Sequence, residues 1–355
     1  MHSRRQFILA SGIVLAVTPV PALARIGLPH FGRSKPQPLT RPETSILYDA
    51  DAGVLLLGEN ADKPMPPASL TKLMTIYLAF DALKKGAATP SGEPLEAGAW
   101  RPDTSLPISR TAAWQERSKL YLKAGQTITV RDALLGMIGP SANDAAVVVA
   151  EALGKTESGF AALMNKKAAA LGMKSTNFTN ASGLPNDRQT STARDIALLM
   201  NALRLDFPEQ YPIFKDPVFF EPTGWKYNGQ VHFSHNSILH GVNPDVHVKN
   251  HAPGTFVYDG AEAGKTGYFR KVGCNMAAAI KREGRNIIAV VIGLPNGIVR
   301  DAKMRELLDS AFPTPIRPSL ANNYQGIAMP QSDALDQSIS IGRSPKLPRL
   351  DAPRN

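Results

Sequence analysis

Apolar and polar positions follow one rhythm at the two ends of the chain and another in its middle. Near the start, Ser45-Ile46-Leu47-Tyr48-Asp49 and Val54-Leu55-Leu56-Leu57 flank Ala50-Asp51-Ala52-Gly53, a pattern that predicts a β-hairpin. A largely apolar run from Leu73 to Leu83 follows, long enough for a buried helix and entered through Pro66-Pro67. Helical spacing dominates the middle. Arg131 to Ile138 reads as a helix broken at Gly139-Pro140, with Ser141-Ala142-Asn143 at the break and a second apolar helix from Ala145 to Leu153. Phe160, Leu163, Met164, Ala168 and Leu171 recur at helical intervals until Gly172. Ile196, Leu199 and Leu203 do the same behind Thr192, with Asp195 at the capping-box position.

Beyond Phe207 prolines, aromatics and glycines dominate until about Gly260, and then strand signals return. Gly264 to Gly267, Gly273 to Ile280 and Asn286 to Gly293 read as strands, Glu283-Gly284 as a hairpin turn, and Val299 to Phe312 as a final helix. Strands at both ends around a helical middle predict an α/β chain of the α+β kind. Its antiparallel sheet is flanked by helices and joined by an all-helical lobe. Lys85 to Pro107, rich in Gly, Pro, Ala and Ser, reads as a surface loop.

Composition adds bounds. With 43% hydrophobic and 20% charged residues in 355, the chain has a globular composition and can bury a sizeable core. The single cysteine, Cys274, excludes an intrachain disulfide and a cysteine-rich zinc module. Ser3-Arg4-Arg5-Gln6-Phe7-Ile8, an apolar stretch to Val20 and Ala22-Leu23-Ala24 have the order of an export signal, with paired arginines of the twin-arginine kind. The expected organisation is a signal peptide over 1–24, a linker over 25–43, a catalytic domain over 44–313 and a Pro-rich, disordered tail over 314–355. The charge of +10 falls to +8 once Arg4 and Arg5 leave with the signal. No basic run is interleaved with aromatics, so the excess reads as a solvated surface facing an anionic envelope rather than as a nucleic-acid site.

Three short elements carry chemistry. Ser69 and Lys72 lie three residues apart at a helix start and so share a face, where an amine can take the hydroxyl proton if burial or a second cation keeps it neutral. Alone, such a pair also fits a helix cap with an exposed lysine. Ser141-Ala142-Asn143 at a helix break and Lys265-Thr266-Gly267 in a strand complete a set found in serine β-lactamases and penicillin-binding proteins.

On these motifs the chain resembles the low-molecular-mass penicillin-binding proteins that act as D-alanyl-D-alanine carboxypeptidases, the S11 type of serine peptidase. The likeness runs from about Ser45 to Phe312 and includes Ala68 to Thr75, Asn143-Asp144-Ala145, Ala181-Ser182-Gly183-Leu184, Ser191 to Asp195, His235-Asn236 and Gly264 to Gly267. It implies a DD-peptidase/β-lactamase-like fold and an acyl-enzyme on Ser69, with Lys72 as general base neutralised by burial and by Lys265. Ser141 would relay a proton to the leaving D-alanine, and Asn143 would hold the substrate amide and orient Lys72. Lys265, Thr266 and Arg300 would bind the terminal carboxylate, and Gly267 would let substrate lie close. The backbone N–H groups of Ser69 and Tyr268 would form the oxyanion hole. The implied partners are peptidoglycan stem peptides and, as covalent inhibitors, β-lactams; no cofactor, metal or nucleic acid is implied.

Larger members continue into an all-β domain and an amphipathic anchor helix. Only 43 residues follow Phe312 and they lack an amphipathic pattern, so a periplasmic enzyme without a stable membrane anchor is expected. Three other readings remain open at this point. D,D-endopeptidase action would use the same residues, and a serine β-lactamase would add a carboxylate for deacylation. A metal-dependent peptidase would use the cluster His232, His235, His240, His247 and His251.

Overall fold

The long-range pairing of the first strand with the last sets the architecture. The computed structural model describes residues 43–85, 100–221, 223–241 and 257–312. The expected signal, the linker through residue 42, residues 86–99 of the expected surface loop, His247, His251 and the tail lie outside them. Strands β1 (Thr44–Asp49) and β2 (Val54–Glu59) form the hairpin read from the sequence. A 3-10 turn, Ala68–Thr71, then leads straight into α1 (Lys72–Lys85).

The helical lobe follows. After β3 (Ser105–Pro107), α2 (Arg110–Ala113) and β4 (Thr127–Thr129) come α3 (Val130–Ile138), α4 (Asn143–Gly154), α5 (Glu157–Ala170) and α6 (Ala193–Asp206). Thr129, Thr156 and Thr192 cap α3, α5 and α6 by accepting backbone N–H groups of the first turn, which fixes where each helix starts. Almost every residue of α4 is buried, and α1 packs against α3, α4, α5 and α6. These two apolar helices are the centre of the lobe.

Short β5 (Trp225–Tyr227), β6 (Gln230–His232) and α7 (Ser237–His240) precede β7 (Ala261–Phe269), β8 (Gly273–Arg282), β9 (Arg285–Leu294) and α8 (Gly297–Ala311). The main sheet has the order β2-β1-β9-β8-β7, antiparallel throughout. Residues Ile287 to Leu294 of β9 are buried on both strand faces, with α6 and α8 packed against the strand. A continuous apolar strand, rather than an alternating one, is what a centre covered on both sides requires. The sheet is therefore the expected one, with helices on its faces.

Several short elements differ from the sequence reading. Ser105–Pro107, inside the expected loop, pairs with Thr127–Thr129, and only Leu106 and Ile128 turn inward, too few to make a period. The Pro- and aromatic-rich stretch after Phe207 contains 3-10 turns at Tyr211–Lys215 and Pro217–Phe220 and the β5–β6 hairpin. Asn228-Gly229, a strong hairpin signal, joins that hairpin.

Two glycines bring separate segments onto the 3-10 turn. A Cβ on Gly267 of β7 would lie 3.2 Å from both Pro67 O and Ser69 N, so the strand presses directly on the turn. Gly183, at φ +86°, would place a Cβ 1.9 Å from Ala68 O. Gly183→Ala combines that clash with left-handed strain, and a loss of more than about 3 kcal/mol is expected. Thermal and urea unfolding measure it; a variant as stable as the parent contradicts this packing.

Candidate active site

A 3-10 turn has three residues per turn, so side chains at i and i+3 eclipse. Here that alignment sets Lys72 Nζ 3.2 Å from Ser69 Oγ. Lys72 is fully buried and also donates to Asn143 Oδ1 at 2.7 Å and to Ser182 O at 2.6 Å. The Ser182 carbonyl is held in place by its neighbours: Ala181 O accepts from Thr75 Oγ1 at 2.7 Å, and Gly183 lies against the Ala68 carbonyl. Glu157, at the start of α5, accepts the Ala181 N–H at 3.2 Å. Burial raises the Glu157 carboxyl above its usual range, against the lowering effect of that hydrogen bond.

Burial brings the Lys72 amine down to about 7, with the Asp144 carboxylate pulling the other way. The second lysine lies in the same buried region. Lys265, on β7, is fully buried and donates to Ser141 Oγ at 2.9 Å and to Thr266 O at 2.8 Å. Burial holds Lys265 well below its ordinary value, and the charges of Lys72 and Arg300 push it further down. Desolvation is the largest cause that lowers Lys72, and the mutual repulsion of two cations buried in one region disfavours charging both.

Ser141 occupies the break between α3 and α4 at φ +63°, in the left-handed region where few side-chain-bearing residues sit. The backbone around it is held by Ala142 N donating to Gly136 O at 2.7 Å and Asn143 N donating to Ser118 O at 2.7 Å. Asn143 Nδ2 donates to Glu116 O at 3.0 Å, so its Oδ1 is the atom turned to Lys72. The fully buried Asp144 carboxylate accepts the N–H groups of Leu120 at 2.9 Å, Leu122 at 3.1 Å and Ala145 at 2.9 Å. It ties residues 116–122 to the first turn of α4.

Arg300, in the first turn of α8, is buried and paired with Asp301, whose carboxylate also accepts from Ser237 Oγ at 2.5 Å. His235 is partly buried, and desolvation together with Lys265, Arg300 and Lys72 takes its imidazole down to about 4. Thr266 is buried, Gly267 abuts the Ser69 backbone, and Tyr268 leaves its ring in solvent. Hydrogen bonds thus join Ser69, Lys72 and Asn143 in one set and Ser141 and Lys265 in another. Arg300 joins them through its charge.

The histidines do not form a metal centre among the described residues, where no three His, Cys, Asp or Glu side chains converge. His240 is buried with both ring nitrogens occupied: Nε2 donates to Phe214 O at 2.7 Å, and Nδ1 accepts from Ser234 Oγ at 2.5 Å. Its ring packs 4.5 Å from Phe219. His240 supports the core, and His235 sits apart from it beside the lysines.

Sequence reasoning passed over three contributors. The Ser182 carbonyl is a main-chain acceptor with no side-chain signature. Asp144 offered one signal, an acid in the first turn of an otherwise apolar helix. Glu157 looked like an ordinary helix-start acid.

A sequence profile described as D-alanyl-D-alanine carboxypeptidase matches residues 32–296. The chain is 32% identical over 271 residues to D-alanyl-D-alanine carboxypeptidase DacA of Escherichia coli, a match covering 76% of this chain and 60% of that protein. The crystal structure of D-alanyl-D-alanine carboxypeptidase DacD from Francisella tularensis superposes with a TM-score of 0.62 at 30% identity, covering 79% of this chain and 72% of the other. That of penicillin binding protein 5 from Haemophilus influenzae does so with a TM-score of 0.63 at 28% identity, with the same coverage.

The role assigned to Asp144 is open to test. Asp144→Ala leaves the Leu120 and Leu122 N–H groups without their acceptor, at a cost of about 1–3 kcal/mol each. A loss of about 3 kcal/mol in unfolding free energy is expected by urea denaturation, and a variant within experimental error of the parent contradicts the role.

Proposed function

Because the chain belongs to the D-alanyl-D-alanine carboxypeptidase family, we propose that it removes the terminal D-alanine from peptidoglycan stem pentapeptides through an acyl-enzyme on Ser69. The observation that carries this reading is the contact of Ser69 Oγ with a fully buried lysine whose amine titrates at about 7. The chain spans 60% of the length of the E. coli relative, and the reading concerns the part it shares.

In its neutral form the Lys72 amine has two N–H groups and one lone pair. The N–H groups serve Asn143 Oδ1 and Ser182 O, its two shortest contacts, leaving the lone pair for the Ser69 hydroxyl. Ser69 Oγ attacks the carbonyl carbon of the penultimate D-alanine as its proton passes to Lys72 Nζ. Negative charge develops on the carbonyl oxygen, where the backbone N–H groups of Ser69 and Tyr268 would receive it. The peptide C–N bond then breaks as the proton taken up by Lys72 would pass by way of Ser141 to the departing D-alanine nitrogen, which returns Lys72 to its neutral form. Water hydrolyses the ester by the reverse path and frees Ser69.

Recognition rests on charge. The terminal carboxylate would meet Lys265, Thr266 and Arg300, and arrival of that anion favours the protonated form of Lys265 that burial otherwise opposes. Asn143 would hold the substrate amide. The smallness of Gly267 serves the fold first, since a side chain there would press on the Ser69 N–H. β-Lactams, whose strained amide accepts the same attack, would acylate Ser69. No helix among the described residues is long and apolar enough to cross a membrane. The Arg4-Arg5 pair and the apolar stretch that follows it support export to the periplasm.

Labelling with a fluorescent penicillin tests the nucleophile. The parent protein should carry a covalent band that Ser69→Ala abolishes, and D-alanine release from a pentapeptide should persist in EDTA; an unlabelled parent protein contradicts the reading. The acylation rate should rise with pH through about 7, because only the unprotonated amine accepts a proton, and should fall about tenfold per unit below it. A rate independent of pH between 5 and 8 removes Lys72 as the base.

A further inference from the structure

Four aromatic rings stand exposed among the described residues: Trp114 (86%), Tyr268 (63%), Phe233 (42%) and Tyr121 (37%). All four lie, along the chain, within a few residues of groups bonded or packed at the candidate site. Trp114 ends α2, two residues before Glu116, whose carbonyl is held by the Asn143 side chain. Tyr121 lies between Leu120 and Leu122, both bonded to Asp144. Phe233 stands two residues before His235, and Tyr268 one residue after Gly267.

The two rings of the 110–122 segment are exposed on rigid backbone. Lys119 Nζ donates to Ala113 O at 3.0 Å and to Gln115 O at 2.8 Å, clamping the carbonyls on either side of Trp114. Tyr121 is held at φ +58°, its carbonyl accepts from Asn228 Nδ2 of the β5–β6 turn, and its ring lies 5.5 Å from the Arg117 guanidinium. Ordering a segment while leaving its largest apolar surfaces in water forfeits burial that folding would otherwise gain. Backbone held in a sparsely populated region is also characteristic of sites that bind.

A second copy or a membrane surface seated on these rings would lie over the segments that border the nucleophile and hinder substrate. A substrate whose reacting end enters while the remainder stays outside does not. Resting on the reading of the site as a stem-peptide hydrolase, we propose that Trp114 and Tyr121, with Phe233 and Tyr268, form a saccharide-binding rim for the glycan strand that carries the peptide. The electron-rich face of an aromatic ring attracts the C–H face of a pyranose, a contact that tolerates water at its edge. Exposed Arg110, Arg117 and Lys123 complement the carboxylates of muramic acid units that lack a peptide.

Peptide-free strands of alternating N-acetylglucosamine and N-acetylmuramic acid test this directly. Trp100 and Trp225 are buried, so a fluorescence change on adding strands reports Trp114. The parent protein should bind with a blue shift, Trp114→Ala about tenfold more weakly, and Leu205→Ala, an exposed change on α6, as the parent does. The ratio of kcat/KM for glycan-linked over free pentapeptide should fall by a similar factor in Trp114→Ala. A parent that ignores the strands, a Trp114→Ala that binds them equally, or a parent that binds anionic vesicles in their place overturns the proposal. Failure of the catalytic reading looks different: no D-alanine is released from free pentapeptide, while strand binding still decides the rim.

Discussion

Two lysines buried together are the constraint from which the rest of the structure can be understood. An ammonium taken out of water is costly, and two side by side cost more than either alone. Lys72 and Lys265 are both fully buried, and each reaches a hydroxyl of the candidate site, Ser69 Oγ for one and Ser141 Oγ for the other. The pair therefore loses protons together, in steps that belong to both groups. A neutral amine beside a serine is the chemical outcome, and a site prepared to welcome an anion is the electrostatic one.

The fold supplies what that arrangement requires. The apolar α1 and α4 exclude water from the Lys72 amine, while Asn143 at the first position of α4 and the Ser182 carbonyl give it acceptors. Strand β7 brings Lys265 from the far end of the chain, and Gly267 lets that strand touch the turn that carries Ser69. The left-handed backbone at Ser141 and the close approach of Gly183 to Ala68 show the same economy of space. Asp144 partly offsets the desolvation of Lys72 and at the same time anchors residues 116–122.

Much of this was legible in the sequence because it is local. Ser69 and Lys72 are three apart, Asn143 follows Ser141 by two, and Lys265-Thr266-Gly267 lies in an unmistakable strand. The sheet was legible because two largely apolar runs, Gly273 to Ile280 and Asn286 to Gly293, flank a hairpin turn at Glu283-Gly284. What escaped depends on main-chain atoms or on distance. The Ser182 carbonyl, the Glu157 contact with Ala181 and the closeness of Gly183 to Ala68 arise only when segments far apart meet. The full burial of both amines could not be read from motifs, since it depends on segments far apart in the chain packing around them. Three-residue strands such as β3 and β4 carry no period to detect.

The central claim is that burial holds Lys72 neutral near physiological pH. The most direct measurement is an NMR titration of lysine side-chain carbons in the parent protein, with Lys72 assigned by comparison with Lys72→Met. A Lys72 resonance that titrates near 7 is predicted. One that stays protonated to about pH 10, as an exposed lysine does, contradicts the account.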